Sequence, residues 1–75
     1  MNIDEDKIDQ TVLALLQLTL HDDFRSWKAQ DFEVMNRLHD KGFIHDPANK
    51  YKSVALTDAG LKTSKELFES MFTRY

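Results

Sequence analysis

The chain has 75 residues, of which 41% are hydrophobic and 31% charged, with a net charge of −3 and no cysteine. Its length allows one small domain, residues 1–75, and excludes two. The lack of cysteine excludes disulfides, thiolate metal sites and thiol nucleophiles, so no covalent cross-link supports the small core.

The start of the chain does not have the pattern of a targeting segment. Residues 2–6 hold three acidic residues and no basic one, whereas a secretory signal begins with basic residues followed by an apolar stretch. No apolar run approaches the roughly 20 residues of a membrane span. We therefore expect a cytoplasmic protein that makes no membrane contact.

Charge is unevenly distributed along the chain. Residues 1–40 carry nine acidic and four basic residues, whereas residues 41–65 carry five lysines and two aspartates. Two interpretations of the lysine-rich stretch stay open. It faces a phosphate backbone, or its lysines keep a small β-hairpin soluble and its edges unpaired.

The first predicted helix covers residues 4–21. Asn2 and Glu5 have the spacing of a capping box, and acidic residues in the first turn suit the positive end of the helix dipole. Apolar residues then recur at helical spacing and occupy much of the circumference. Such a helix must be covered on more than one side, by the rest of the chain or by a second copy. The apolar positions are Ile8, Val12, Leu13, Leu15, Leu16 and Leu20.

The second predicted helix follows a short break and ends at Lys41. Residues 22–30 are rich in turn-forming and capping types, which leaves room for one short helical turn or none. Ser26 or Asp31 can cap the helix that follows. Its apolar face is formed by Val34, Met35 and Leu38.

A β-hairpin is predicted between Gly42 and Thr57. Gly42 stands where a left-handed residue closes a helix, and Phe43 after it can fold back onto the last turn. Residues 43–45 favour strand, residues 46–50 favour turn, and residues 51–56 partly alternate. Thr57 then caps a final helix. The predicted order is helix, helix, β-hairpin, helix in an α+β domain.

This order resembles the second half of bacterial winged-helix regulators of the MarR and PadR type. The resemblance covers residues 31–70 and implies a reduced winged-helix domain with a recognition helix, a wing hairpin and a following helix. Over its whole length the chain also resembles a group of small bacterial proteins to which no activity is attached. The residues that match the winged-helix pattern are Leu38, Lys41, Gly42, Phe43 and Ile44, then Leu56, Thr57, Asp58 and Gly60.

The winged-helix resemblance implies DNA binding, with the second helix in the major groove and the hairpin against phosphates or the minor groove. Against it, residues 31–41 have a net charge of −1, whereas phosphate contacts need cations. Glu33 can also pair with Arg37 four positions later and keep it from the bases. The residues implied in nucleic-acid contact are Gln30, Asn36, Arg37, Lys50, Tyr51 and Lys52.

A protein-interaction surface is the competing hypothesis, because the aromatic residues are many for so small a core. Trp27, beside Arg25, can anchor in a pocket of a partner, since tryptophan and arginine dominate interface energetics. The alternative is that Trp27 covers the protein's own core. The last helix carries an apolar stripe that can pack against the protein's own core or pair with a second copy. The residues proposed for partner contact are Trp27, Arg25, Phe68, Phe72 and Tyr75.

Three His-Asp dipeptides, starting at residues 21, 39 and 45, raise the question of a metal or catalytic site. None has the four-apart histidine pair of a helical zinc site, and no phosphate-binding glycine loop or nucleophile elbow occurs. We therefore expect no metal, no cofactor, no small-molecule substrate and no enzymatic activity. The sequence favours a small interaction or regulatory module that binds a protein or forms a homodimer, with a DNA-binding regulator as the alternative.

Overall fold

The computed structural model describes residues 2–28, 32–48 and 52–74. In this part of the chain, helices alternate with short strands. The helices are α1 (Glu5–Leu15), α2 (Phe32–Asp40) and α3 (Asp58–Phe72), and the strands are β1 (Arg25–Trp27) and β2 (Ser53–Ala55). A 3-10 turn, Leu16–Thr19, extends α1. The α+β class predicted from the sequence is confirmed.

Helix α1 begins at a different cap from the predicted one. Asp4, two residues after Asn2, is the N-cap, and its Oδ1 accepts a hydrogen bond from the Lys7 amide at 3.0 Å. This bond satisfies one of the amides that a helix start leaves without a partner. The capping box predicted at Asn2 and Glu5 was therefore wrong by two positions.

Helix α1 also ends earlier than predicted, because its C-terminal carbonyls find partners outside the helix. The Leu13 carbonyl accepts from Ser64 Oγ at 2.6 Å, and the Leu16 carbonyl accepts from Ser26 Oγ at 2.7 Å. Both serines are fully buried. These bonds join the end of α1 to α3 and to β1, so the regular helix gives way to a 3-10 turn.

The two strands form an antiparallel ribbon that the sequence predicted only in part. Strand β2 lies within the predicted second strand, but its partner is β1, with Arg25 opposite Ala55. The predicted first strand, residues 43–45, meets β2 through one isolated bridge, from Ile44 to Leu56, and through the His45 amide, which donates to the Ala55 carbonyl at 2.9 Å.

Strand β1 was missed because its inward position is polar. Ser26 is buried between the exposed Trp27 and the half-buried Arg25, so the usual alternation of apolar and polar residues is hidden. Ser26 is therefore not a helix cap, as the sequence had suggested. The second candidate for that cap, Asp31, lies outside the described residues.

Gly42 closes α2 as predicted. Its φ is +82°, its amide donates to the His39 carbonyl at 2.9 Å, and the Phe43 amide donates to the Leu38 carbonyl at 3.0 Å. This pair of bonds is a Schellman motif. Phe43 is then packed against the core beside Leu38, which fixes the direction in which the chain leaves the helix.

Thr57 caps α3, also as predicted. Its Oγ1 accepts from the Gly60 amide at 3.0 Å and donates to the Gly42 carbonyl at 2.6 Å. The residue that ends α2 is thus bonded to the residue that starts α3. The segment between them doubles back, as the sequence indicated.

The core lies between the three helices and the inner face of the ribbon. Helix α1 packs against both α2 and α3. Within the described residues, no helix is long and apolar enough to cross a membrane. The buried cluster consists of Val12, Leu13, Leu16, Val34, Met35, Leu38, Ile44, Val54 and Leu56.

Candidate functional site

The outer face of α1 carries exposed apolar side chains along its whole length. Ile8 and Leu15 are 40% and 38% exposed, and Leu18, in the 3-10 turn, is 67% exposed. With Thr11 between them they are spaced by three, four and three residues, so they form one stripe along the helix. We call this stripe, Ile8, Thr11, Leu15 and Leu18, the outer α1 face.

Three residues of the outer α1 face, Ile8, Thr11 and Leu15, line a shallow groove of about 540 Å³. Ile3, directly before the N-cap, is 71% exposed and stands with Ile8 at the two positions of a hydrophobic staple. The exposed apolar surface therefore extends past the start of the helix. The groove is lined by Asp4, Lys7, Ile8, Thr11, Val12 and Leu15.

A cluster of charged side chains joins the other side of α1 to α2. Asp9 is only 1% exposed, and both of its oxygens accept from Arg37 Nε, at 3.0 and 2.9 Å. Arg37 Nη2 donates to Asp9 at 2.8 Å, and Lys41 Nζ donates to it at 2.9 Å. Two exposed acids complete the cluster, Glu5 on Arg37 and Asp6 on Lys41. The buried charge is therefore fully compensated.

The position of Asp9 determines its acidity. Burial alone would raise the pKa of its carboxyl group, because it disfavours the charged form. The hydrogen bonds from Arg37 and Lys41, together with their positive charges, outweigh burial and hold the pKa below its ordinary value. Asp9 in turn raises the pKa of both cations. The cluster stays ionised at neutral pH and holds α1 against α2.

The residues predicted to contact nucleic acid are distributed unevenly. Asn36 is exposed on α2, and Lys52 is exposed at the end of the ribbon next to β2. Arg37 is used within the Asp9 cluster, so a base contact would require those hydrogen bonds to break. The remaining predicted residues, Gln30, Lys50 and Tyr51, lie outside the described residues.

Trp27 and Arg25, predicted to contact a partner, both project from β1. The Trp27 ring is 49% exposed and stacks on His21, with ring centroids 4.6 Å apart. Arg25 lies along the ribbon, where its Nε donates to Ser53 Oγ at 3.0 Å. Trp27 therefore presents a large supported ring to solvent, whereas Arg25 is held in place by the neighbouring strand.

The C-terminal end of α3 carries the other predicted contact residues. The rings of Phe68 and Phe72 pack at 5.8 Å in a tilted arrangement, and Phe72 is 44% exposed beside Met71. Phe68 is half-buried. Tyr75, predicted for the same surface, lies outside the described residues.

The histidines of the three His-Asp dipeptides lie apart and make local contacts. His21 stacks on Trp27, and His39 Nδ1 lies 3.1 Å from the Ile44 carbonyl at the end of α2. His45 is exposed where the chain runs along β2. In the described part of the chain, no group of three or more histidine, aspartate or glutamate residues could hold a metal ion.

Sequence reasoning missed Asp9, although a signal was present. Acidic residues near a helix start are accounted for by the helix dipole, and this hides the separate role of Asp9. Asp9, however, shares a helical face with Val12, Leu13 and Leu16, three, four and seven positions later. An acid on the buried face of a helix needs a cation from another element. The available partners were Arg37 on the next helix and Lys41 in the turn directly after it.

Comparison with known proteins places the chain in a family. The model of a domain of unknown function, DUF6429, matches residues 4–74. The chain belongs to this family. It is 58% identical over 74 residues to an uncharacterised protein, y4hR, of Sinorhizobium fredii, with 99% of this chain and 100% of that protein covered. No solved structure matches the chain.

Proposed function

We propose that this protein is a small cytosolic interaction or regulatory module that associates with itself and has no enzymatic role. The observation that carries the proposal is the outer α1 face. Ile8, Leu15 and Leu18 stay exposed although α1 packs against both other helices. A helix that is apolar on two sides has one side covered by its own domain and the other available to a partner.

Contiguity is the reason that this surface supports binding. Single exposed hydrophobic residues are common on soluble proteins, but continuous apolar patches mark interaction sites. A chain of this length buries a small core, so covering further apolar surface adds stability at about 25 cal/mol per Å². Association through the outer α1 face therefore benefits both binding and folding.

The ribbon offers a second contact for a protein partner. Trp27 is 49% exposed on β1, and its ring is supported by stacking on His21. Large rigid aromatic rings give much contact area for little loss of side-chain entropy. Trp27 with Arg25, and the Phe68 and Phe72 end of α3, stay our predicted partner contacts.

Self-association is tested by sedimentation equilibrium and light scattering of the purified full chain. We expect a reversible monomer–dimer equilibrium with a dissociation constant in the micromolar range, on the order expected for a small interface. A mass equal to that of one chain up to about 500 µM, far above that range, would contradict the proposal.

DNA binding is the second candidate function, and the ribbon is the observation that favours it. Residues 44–45 run along β2, which supports a wing in this interpretation, and the Lys28 amide donates to the Lys52 carbonyl where β1 ends and β2 begins. In this interpretation α2 is the recognition helix. Its Arg37 is bound to Asp9 and Glu5, which leaves the base contacts to neighbouring residues.

DNA binding is tested by the fluorescence anisotropy of a labelled duplex at rising salt concentration. If the ribbon contacts phosphates, affinity falls steeply with salt, and Lys50→Ala with Lys52→Ala weakens binding more than Lys65→Ala on α3. Lys65 is an exposed lysine of the same chain and serves as the control. A DNA affinity that changes neither with salt nor with the ribbon lysines would contradict contact between a wing and DNA.

A further inference from the structure

We propose that a second copy of this chain covers the outer α1 face, with the two α1 helices packed antiparallel about a two-fold axis beside Thr11. The inference rests on the proposed self-association. It adds the surface that is buried, the direction of the two helices and the residue at the axis.

The spacing of the exposed residues is self-complementary. The midpoint between Ile8 and Leu15 falls between positions 11 and 12, beside Thr11. Beyond this pair, Ile3 before the N-cap and Leu18 in the 3-10 turn extend the apolar surface at its two ends. A two-fold interface requires one patch to match itself after rotation. Antiparallel packing meets this condition, since Ile8 meets the partner's Leu15 and Ile3 meets the partner's Leu18.

The charges on α1 favour the antiparallel direction. Two charged side chains, Asp4 and Lys7, line the groove near the N-terminal end of α1, whereas Leu15–Thr19 carries no charge. Glu5 and Asp6 lie on the other side of the helix, bonded to Arg37 and Lys41. In a parallel pair, Asp4 and Lys7 would each lie about 8–10 Å from the same residue of the partner, a distance at which salt screens like-charge repulsion only in part. In the antiparallel pair the charged end of each helix lies beside the uncharged end of the partner, and the two Asp4 positions are about 21 Å apart at 1.5 Å per residue.

The size of the surface determines the expected strength of association. The exposed stripe from Ile3 to Leu18 is about 22 Å long and one helix wide, about 10 Å. A standard stable interface takes about 800 Å² from each partner, and the whole chain exposes 5359 Å². The α1 faces alone supply less than the standard area. We therefore expect a reversible dimer of micromolar affinity.

Matched substitutions test which surface is buried. Leu18→Glu and Ile8→Glu each place a charge on the outer α1 face, whereas Phe24→Glu places one at a similarly exposed residue in the turn before β1. Circular dichroism verifies that each variant is folded. By sedimentation equilibrium, we expect both α1 variants to raise the dimer dissociation constant at least about tenfold and Phe24→Glu to leave it within about twofold.

Cysteine cross-linking tests the direction of the helices, because the natural chain has no cysteine. Thr11→Cys at the two-fold axis should form a disulfide-linked dimer under mild oxidation, since it places the two cysteines within bonding distance. Ile8→Cys alone and Leu15→Cys alone should not, but a mixture of the two should form the mixed disulfide. In a parallel pair, Ile8→Cys and Leu15→Cys would each cross-link with themselves.

The outcomes separate this inference from the proposed function. A chain that stays monomeric at all concentrations overturns both. If Phe24→Glu or Phe72→Asp disrupts the dimer and Leu18→Glu leaves it intact, the protein self-associates, but through a surface other than the outer α1 face. A dimer that is weakened by Leu18→Glu but cross-links as a parallel pair overturns the antiparallel geometry.

Discussion

Asp9 shows how one buried carboxylate joins two helices. It is 1% exposed and receives hydrogen bonds from Arg37 and Lys41, which stand four residues apart on the same side of α2 and the turn after it. Leaving a buried charge without these partners would cost several kcal/mol. Because Asp9 needs these partners, the Arg37 side chain stays bonded to α1 and contacts another molecule only if those hydrogen bonds break.

The pKa shift of Asp9 makes part of the stability depend on pH. The folded state holds its pKa below the ordinary 3.8, so the stabilisation is present above that value and is lost as pH falls through the folded pKa. We expect Asp9→Asn to lower the free energy of unfolding by about 2 kcal/mol near pH 7, the worth of hydrogen bonds to a charged group. The difference from the natural chain should shrink below pH 3.8.

Urea unfolding followed by Trp27 fluorescence measures this difference. Asp6→Asn is the matched control, because Asp6 bonds the same Lys41 from an exposed position. Exposed ion pairs contribute little to stability, so the free energy of unfolding of the control should stay close to that of the natural chain. Two results would contradict the role given to the cluster. One is an Asp9→Asn variant as stable as the natural chain at neutral pH. The other is a difference in unfolding free energy that stays the same in acid.

At the scale of elements, α3 is positioned by a backbone contact that admits no side chain. Gly60 lies in the first turn of α3, and a Cβ added there would stand 1.8 Å from the Phe43 carbonyl oxygen. That carbonyl also accepts the Thr57 amide at 3.0 Å, so it cannot move without breaking the start of the helix. The close approach of α3 to the segment after α2 therefore requires glycine.

Gly60→Ala tests this contact because helix propensity predicts the opposite effect. Alanine is favoured over glycine in a helix by about 1 kcal/mol, yet we expect the variant to be destabilised by about 1–3 kcal/mol through overpacking. Gly42→Ala, where a Cβ meets nothing within 4 Å, should cost about 1 kcal/mol from its positive φ alone. Thermal unfolding compares the two, and a Gly60→Ala variant more stable than the natural chain would contradict the packing.

Elements defined by local chemistry were predictable from the sequence, and those defined by distant contacts were not. Gly42 and Thr57 act through bonds within a few residues, and both were assigned correctly. Strand β1 depends on β2, which is more than 20 residues away, and it hides a buried serine where an apolar residue was expected. The Asp9 cluster likewise depends on Arg37 of another helix, which the periodicity of α1 alone does not indicate.

At the scale of the whole molecule, α1 has two sides with different roles. One side contributes Val12, Leu13 and Leu16 to the core, and Asp9 on that side is bound to α2. The remaining side carries the outer α1 face. The sequence indicated this division, because it predicted a helix needing cover on more than one side. It could not show which residues the domain itself would cover, since that depends on where α2 and α3 pack.

Association through the outer α1 face, as we propose, makes the environment of its residues depend on protein concentration. Two-dimensional ¹H–¹⁵N NMR spectra of the full chain are recorded from about 20 µM to 1 mM, a range that includes the dissociation constant expected of a small interface. We predict concentration-dependent amide shifts concentrated at Ile8, Thr11, Leu15 and Leu18, with Phe24 and Trp27 unchanged. Spectra that do not change with concentration, or shifts confined to the ribbon or to the end of α3, would contradict association through the outer α1 face.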